Sequence, residues 1–172
     1  MKSRLPFIIV TAIVATGLLF GVLTMGTNSA NQKSTTTKGT NTNMSIVKVT
    51  GELGSAPVFE SPKGTPPTEM VVEDLVVGNG AEVLPTSTLT VQYTLKAWST
   101  GDVVDSSWSR GTPAQFPLSG VIAGWQQGLP GMKVGGRLLL IVPPSLGYGA
   151  QQVGPMKPNE TLIFVVDVLG IA

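Results

Sequence analysis

The residues of this chain that could do chemistry are aromatic and amide-binding groups. One Trp lies between glycines in Gly124-Trp125-Gln126-Gln127-Gly128, and one Tyr lies in the loop run Pro143-Pro144-Ser145-Leu146-Gly147-Tyr148-Gly149. Asp105-Ser106-Ser107 lies upstream of both runs, and Phe164 lies downstream. These residue types predict an aromatic-lined cup on a small β domain, which would bind an apolar chain without acid–base chemistry.

The composition excludes several kinds of catalysis. The chain has no Cys and no His, which excludes thiol nucleophiles, disulfides, Cys/His zinc sites and a Ser-His-Asp triad. Its acidic residues show no clustered metal-loop pattern, so we expect neither a metal nor a cofactor. The net charge of +1 comes from 11 basic and 10 acidic residues without a basic stripe, which argues against nucleic-acid binding.

Residues 1–26 have the features of a membrane anchor or signal segment. Lys2 and Arg4 precede Leu5 to Met25, an uncharged stretch that as a helix spans the hydrocarbon core of about 30 Å. The positive charges at the start favour a single span in the cell membrane, with the folded domain outside the cytoplasm. Residues 27–44 are polar and lack an apolar period, which predicts a flexible linker.

Two other outcomes stay open for the N-terminal segment. The small-residue run Asn28-Ser29-Ala30 could be a cleavage site, and the protein would then be secreted after signal removal. A start at Met44 would instead give a cytosolic domain. The length of the apolar stretch favours the uncleaved anchor, because signal-peptide apolar regions usually span about 7–15 residues.

The folded part is expected over residues 45–172. Residues 45–69 contain repeated prolines and short apolar runs, which predict an extended lead-in. Residues 70–172 carry the regular strand signals and are expected to form the core.

Three apolar patterns in the core predict strands. Leu89 to Leu95 alternates between apolar and polar residues, which places Tyr93 on the buried face of a strand. Leu138 to Val142 is uniformly apolar and predicts a central strand buried on both faces. Thr161 to Leu169 alternates again, with one face made of Leu162, Phe164, Val166 and Val168.

One helix of about two turns must position the Trp, because Ile122, Trp125 and Leu129 share a helical face. The flanking Gly124 and Gly128 are poor helix formers, so packing must hold this helix in place. The fold class that follows is α+β: a twisted antiparallel β-sheet of five to six strands wrapped around one short helix.

The order of these motifs resembles the FKBP-type peptidyl-prolyl cis-trans isomerases, in particular exported or membrane-anchored bacterial members. The resemblance covers about 100 of the 172 residues, from Met70 to the C-terminus. Each motif alone is weak, but six in the family's order and spacing are specific. The matching runs are Val91-Gln92-Tyr93-Thr94, Val104-Asp105-Ser106-Ser107, Val121-Ile122-Ala123-Gly124-Trp125, Gly135-Gly136-Arg137, Gly147-Tyr148-Gly149-Ala150 and Pro158-Asn159-Glu160-Thr161-Leu162-Ile163-Phe164.

The resemblance implies a role for each matching site residue. Trp125 would form the pocket floor, with Tyr93 and Phe164 as walls. Asp105 would lie beside the ligand, paired with Arg110. The Ile122 backbone N–H and the Tyr148 hydroxyl would bind ligand carbonyls. The catalytic set implied is Tyr93, Asp105, Trp125, Tyr148 and Phe164, and the substrate-binding set is Val104, Arg110, Val121, Ile122 and Met156.

Several positions depart from the family pattern. Val104 stands where the family usually has Phe, Ala114 stands where it has a second aromatic wall residue, and Leu95 stands where it has Gly. The loop after Tyr148 is one residue short, which matches Met156 to the pocket rim. Fewer aromatic walls imply a looser pocket. Trp108, near Asp105, is expected to pack on the surface instead of touching a ligand.

The function implied is peptidyl-prolyl isomerisation that assists the folding of exported proteins. Proline-containing polypeptides are the expected partners, together with macrolide inhibitors, and we expect a monomer. One alternative is a non-enzymatic proline-peptide-binding or chaperone module, motivated by Val104 and Ala114. Another is a structural envelope protein that uses the domain as a spacer.

Overall fold

The computed structural model describes residues 46–60, 62 and 64–172 of the chain. The anchor or signal segment expected at 1–26 and the linker expected at 27–44 lie outside the described residues. Within the described part, no helix combines the length and apolar character needed to cross a membrane.

A short two-stranded lead-in precedes an antiparallel sheet of six strands. The lead-in strands are β1 (Val49–Thr50) and β2 (Val58–Phe59). The main sheet runs in the order β3 (Val71–Val76), β7 (Arg137–Val142), β8 (Leu162–Ile171), β4 (Thr88–Ala97) and β5 (Val103–Ser106), with β6 (Ala114–Pro117) also paired to β4. The α+β class and the strand number are confirmed, whereas β6 was not predicted.

Two short helices complete the fold: α1 (Ser107–Arg110), which was not predicted, and α2 (Ala123–Gly128), which carries Trp125. Both glycines of α2 lie close to β7. A Cβ at Gly124 would come within 2.5 Å of the Val142 side chain, and one at Gly128 equally close to Leu140. Any larger residue would push the helix off the strand, because protein interiors have no spare volume. Close packing therefore holds this glycine-containing helix, as its sequence required.

The two faces of the sheet carry separate apolar cores. The face under α2, here called the cup face, packs a large cluster that includes Tyr93, Trp125 and Phe164. The opposite face, here called the lead-in face, packs a smaller cluster of Val47, Phe59, Trp98, Leu139, Ile141, Ile163 and Val165.

The alternation of β8 suggested one buried face, yet every residue from Leu162 to Val168 is buried. The reason is the lead-in, because β1 and β2 are paired and bring Val47 and Phe59 over the second face of the sheet. Residues 46–60 therefore pack on the sheet through Val47 and Phe59, whereas their irregular sequence predicted only an extended lead-in.

A buried ion pair holds the lead-in on this face. Arg137 on β7 and Asp167 on β8 are cross-strand neighbours, each 1 % exposed. Arg137 Nε and Nη2 donate to the two Asp167 carboxylate oxygens at 2.5 and 2.7 Å. Its Nη1 and Nη2 also donate to the backbone carbonyls of Gly51, at 2.8 Å, and Ser55, at 2.7 Å. The charges are thus paired and hydrogen-bonded, which is the condition for burying them.

Candidate functional site

Trp125 is the centre of the aromatic cluster on the cup face. Its side chain is 1 % exposed. It makes edge-to-face contacts with Tyr93 and Phe164, at ring-centroid distances of 5.8 and 5.4 Å. The pairing of β4 with β8 brings the two walls together, since Phe164 lies opposite Leu95, two residues after Tyr93. The structure therefore places the expected floor and walls in contact.

Phe116 on β6 is a further aromatic residue of this cluster, and the sequence analysis did not identify it. Its ring lies 5.8 Å from Trp125 and 6.0 Å from Tyr93, again in edge-to-face geometry. The available signal was the spacing of Ala114 and Phe116, which lie on the same side of a strand two residues apart. Phe116 thus supplies an aromatic side next to the small Ala114.

Tyr93, Asp105 and Arg110 form a hydrogen-bonded network at the edge of the cluster. The Tyr93 hydroxyl and Arg110 Nη1 both donate to the Asp105 carboxylate. Arg110 Nη2 also donates to the Tyr93 hydroxyl at 3.0 Å, and the guanidinium lies over the Tyr93 ring, 5.6 Å from its centroid. Burial raises the pKa of Tyr93, and the hydrogen bond to Asp105 raises it further. The phenol therefore stays neutral and holds the carboxylate in place.

A β-bulge lets both Val104 and Asp105 reach the cup face. Leu95 pairs with Asp105 while Lys96 pairs with Val103, so Val104 is an extra residue in β5. Val104 packs against the cup-face core, and Asp105 bonds to Tyr93 within the same region. In a regular strand these neighbours would point to opposite faces.

Ser107 fixes the backbone on which this network is built. Its hydroxyl is fully buried, accepts the Tyr93 N–H at 2.8 Å and donates to the Gln92 side chain. Along β4, pairing with β5 ends at Thr94 and pairing with β6 starts at Val91, so Ser107 binds the part of β4 between the two. The Asp105-Ser106-Ser107 motif therefore supplies the Asp105 carboxylate and also anchors the chain to β4 through Ser107.

Val121 and Ile122 present extended backbone at the start of α2. Both side chains are buried. Among the residues that the structure describes, none accepts a hydrogen bond from the Ile122 N–H. The Val121 carbonyl, in contrast, accepts a hydrogen bond from Gln126 Nε2 at 2.7 Å. The Ile122 N–H is thus available to a ligand carbonyl.

Tyr148 lies in the loop between β7 and β8. The loop is closed by hydrogen bonds from Gly149 N to Pro144 O, at 2.8 Å, and from Asn159 N to Gly149 O, at 2.7 Å. No described residue hydrogen-bonds the Tyr148 hydroxyl. Burial raises the pKa of Tyr148 to about 12, with the negative charge of Asp105 adding to the effect. Tyr148 is therefore a neutral hydroxyl donor near Asp105.

Met156 differs from its expected placement. Expected at the pocket rim, it is 3 % exposed and belongs to the cup-face core. The turn that joins Met156 N to Val153 O folds this part of the loop inward. Trp108 on α1, expected to pack on the surface, is half-buried, and its indole N–H is buried without an acceptor among the described residues.

The arrangement can bind and orient an amide but offers no nucleophile. The aromatic rings suit a flat apolar group such as a proline ring, and the Ile122 N–H and the Tyr148 hydroxyl suit carbonyl oxygens. Asp105 is engaged by Tyr93 and Arg110. Across residues 46–172 as described, no three His, Cys, Asp or Glu side chains cluster as metal ligands.

Comparisons with known proteins agree with this geometry. The model of the FKBP-type peptidyl-prolyl cis-trans isomerase family matches residues 79–169. A probable FK506-binding protein of Corynebacterium glutamicum is 46 % identical over 113 residues, which cover 66 % of this chain and 96 % of that protein. An FK506-binding protein of Streptomyces anulatus is 45 % identical over 119 residues, covering 67 % of this chain and 96 % of that one.

Solved structures give the same result. The crystal structure of FkpA from Escherichia coli matches with a TM-score of 0.57 and 38 % identity, covering 60 % of this chain and 48 % of that one. The crystal structure of AtFKBP13 matches with a TM-score of 0.55 and 33 % identity, covering 62 % and 96 %. The chain belongs to the family of FKBP-type peptidyl-prolyl cis-trans isomerases.

Proposed function

We propose that the cup isomerises X–Pro bonds by binding the twisted amide better than the planar one. Rotation about an X–Pro bond has a barrier of roughly 20 kcal/mol because it breaks amide resonance. The twisted amide is less polar than the planar one, so a dry aromatic site stabilises it selectively. The observation that carries this proposal is the contact of Trp125 with three other aromatic rings.

Each site residue has a role in this proposal. The proline ring lies on Trp125 between Tyr93 and Phe164, with Phe116 and Val104 completing the walls. The Ile122 N–H and the Tyr148 hydroxyl hold the carbonyls that flank the rotating bond. Asp105, held in place by Arg110, sets the electrostatic field at the bound amide. Met156 and Val121 support the site from the buried side.

The test is isomerisation of a blocked Ala-Leu-Pro-Phe peptide, followed at equilibrium by NMR exchange. The full-length chain should accelerate the exchange, with a preference for an apolar residue before proline. Trp125→Leu should lower kcat/KM by about 10- to 100-fold, a loss of roughly 1.4–2.8 kcal/mol of transition-state binding. Tyr148→Phe, which removes one hydrogen bond, should lower it by about tenfold.

Trp98→Leu is the matched control, because Trp98 is a buried Trp of the lead-in face. It should lower stability and leave the kcat/KM of the folded protein unchanged. A folded wild-type chain that binds the peptide without accelerating exchange would support the binding-module alternative and overturn this proposal. Equal losses in Trp98→Leu and Trp125→Leu would show that the cup is not the site.

We also propose that the domain works outside the cytoplasm on exported polypeptides, as a monomer held by an N-terminal membrane span. The support is the uncharged stretch from Leu5 to Met25 behind Lys2 and Arg4.

The native protein should fractionate with membranes, and external protease should reach the domain once outer cell layers are removed. A fragment that begins near Asn31 would indicate secretion after signal cleavage, and a protease-protected domain would contradict the orientation. Sedimentation of the purified protein tests the monomer.

A further inference from the structure

We propose that Gln126 is a positioning residue of the isomerase site, which orients the peptide group that carries the Ile122 N–H. This inference rests on the role proposed above for that N–H. The Gln126 side chain acts through the Val121 carbonyl, to which it is hydrogen-bonded.

The backbone before α2 lacks the usual means of fixing its direction. Val121 (φ −103°, ψ 176°) and Ile122 (φ −58°, ψ 152°) are extended, and the N-cap residue Ile122 makes no side-chain capping hydrogen bond. Apolar side chains at both positions cannot accept a hydrogen bond from the first turn of the helix. Another group must hold this segment.

Gln126 is that group, because it binds two consecutive carbonyls. Its backbone N–H donates to Ile122 O at 3.2 Å, and its side-chain Nε2 donates to Val121 O at 2.7 Å. The Val121 carbonyl and the Ile122 N–H belong to one planar trans peptide group, in which they point in opposite directions. A hydrogen bond that fixes the carbonyl therefore also fixes the direction of the N–H.

The same hydrogen bond strengthens the N–H as a donor. A hydrogen bond accepted by an amide carbonyl polarises the amide, so its own N–H donates more strongly. Gln126 thereby occupies the Val121 carbonyl and leaves the Ile122 N–H for the ligand. The neighbouring Gln127 has an exposed side chain for which no hydrogen bond is found among the described residues.

The experiment compares Gln126→Ala with Gln127→Ala in the full-length chain, with NMR exchange of a blocked Ala-Leu-Pro-Phe peptide as the assay. Gln126→Ala should lower kcat/KM by about three- to tenfold, the range expected for one net hydrogen bond. The KM should change little, since the N–H still exists but is less well aligned. Gln127→Ala should stay within twofold of wild type, and both variants should unfold at similar urea concentrations.

Gln126→Glu separates a positioning role from a packing role. The Glu side chain has nearly the same shape as Gln, but it can donate a hydrogen bond only when it is protonated. An ionised carboxylate cannot donate to the Val121 carbonyl, whereas a carboxylic acid can. The kcat/KM of Gln126→Glu relative to wild type should be low at pH 7.5 and recover as pH falls toward the ordinary Glu pKa of about 4.3. The 15N-1H signal of the Ile122 amide should shift over the same pH range. All other residues are the same in the two proteins, so effects of pH on the rest of the chain cancel in the ratio.

The outcomes are distinct. Inactivity of the wild-type chain would refute the proposed function itself. If the wild-type chain is active and the kcat/KM values of Gln126→Ala and Gln127→Ala differ by less than twofold, the role of Gln126 is refuted while the proposed function stands. A pH-independent ratio for Gln126→Glu, with a stationary Ile122 amide signal, would also refute it.

Discussion

The two faces of the sheet each carry one Arg–Asp pair, and the pairs differ in their surroundings. On the cup face, the Asp105 side chain is 6 % exposed while that of Arg110 is 30 % exposed. On the lead-in face, both Arg137 and Asp167 are almost completely buried. Arg110 shares its carboxylate with a tyrosine hydroxyl, whereas Arg137 also binds backbone carbonyls.

The difference shows how one pair of residue types serves two purposes. In the lead-in pair, Arg137 binds Asp167 and two backbone carbonyls of the lead-in. This pair therefore joins the lead-in to the main sheet. The cup pair remains partly open beside the Tyr148 hydroxyl and the Ile122 N–H, for which the described part of the chain offers no hydrogen-bond partner. An open, partly satisfied polar set beside aromatic rings is suited to a ligand. We therefore expect stability to depend mainly on the lead-in face and activity on the cup face.

The largest effect is expected from removing a charge of the lead-in pair. Arg137→Met should lower the free energy of unfolding by about 3–5 kcal/mol, because it leaves the Asp167 carboxylate buried and unpaired. Arg110→Met should cost less, about 1 kcal/mol, since Arg110 is partly solvated and Asp105 keeps the hydrogen bonds from the Tyr93 hydroxyl and the Ser106 N–H. Urea unfolding followed by circular dichroism measures both. The double variant Arg137→Met/Asp167→Leu should recover part of the loss, and equal costs for the two single variants would break the comparison.

The next largest loss of stability is expected at Phe59, the aromatic residue through which the lead-in packs on the sheet. Phe59→Ala should lower stability by about 3 kcal/mol through the loss of buried ring contacts. It also removes the contact of Lys96 Nζ, which lies 5.1 Å from the Phe59 ring centroid. Because the cup lies on the other face, kcat/KM of the folded variant should stay within twofold of wild type. A large loss of activity at full folding would mean that the two faces are coupled.

The tyrosine titration should report the cup face alone, because the two tyrosines of the chain, Tyr93 and Tyr148, both belong to it. The pKa of Tyr148 is raised to about 12 and that of Tyr93 is also raised, chiefly by burial. Phenolate absorbance at 295 nm should be nearly absent from the native protein at pH 11 and appear near pH 10 in urea.

The sign of the accompanying stability change follows from these shifts. The folded-state pKa values lie above the unfolded value, so the stabilisation is complete below pH 10 and is lost as pH rises toward 12. Phenolate absorbance from the native protein near pH 10 would show that the tyrosines are exposed. Isomerase activity should not change through tyrosine ionisation between pH 7 and pH 10.

The smallest effect is expected at the bulge. Val104→Phe should raise kcat/KM or macrolide affinity a few-fold, since an added aromatic wall of suitable shape contributes about 0.5–1.5 kcal/mol. Overpacking against the cup-face core is the opposing effect and could cost about 1–3 kcal/mol of stability. Val104→Leu serves as a size control. Unchanged or lower turnover in a stably folded Val104→Phe variant would show that the pocket is adapted to Val.

Local patterns were sufficient to predict the strands and the helix that position the cup. Alternation over Leu89–Leu95 placed Tyr93 inward, and the uniform apolar run at 138–142 became the strand β7, which is buried on both faces. The glycines around Trp125 indicated a helix that depends on packing, and their contacts with Val142 and Leu140 explain why. Such features were predictable because each depends on residues close together in the chain.

Long-range contacts decided what those patterns did not contain. Phe116 entered the aromatic cluster because β6 pairs with β4, and Met156 turned inward because hydrogen bonds close its loop. The single extra residue at Val104 turned two neighbours toward one face. None of these features leaves a periodic trace in a single sequence, because each depends on how a strand pairs or how a loop closes in space.

The sequence by itself determined the type of site: without His or Cys, an aromatic and amide-binding cup is the chemistry that these residues support. Only the tertiary structure decided that residues 46–60 cover the second face and that Arg137 binds Gly51 and Ser55 across it. It also decided that, within residues 46–60, 62 and 64–172, the peptide group before α2 has its carbonyl hydrogen-bonded and its N–H without an acceptor. The physical reason is that residue types set which interactions are possible, whereas burial and hydrogen-bond direction exist only once distant segments meet.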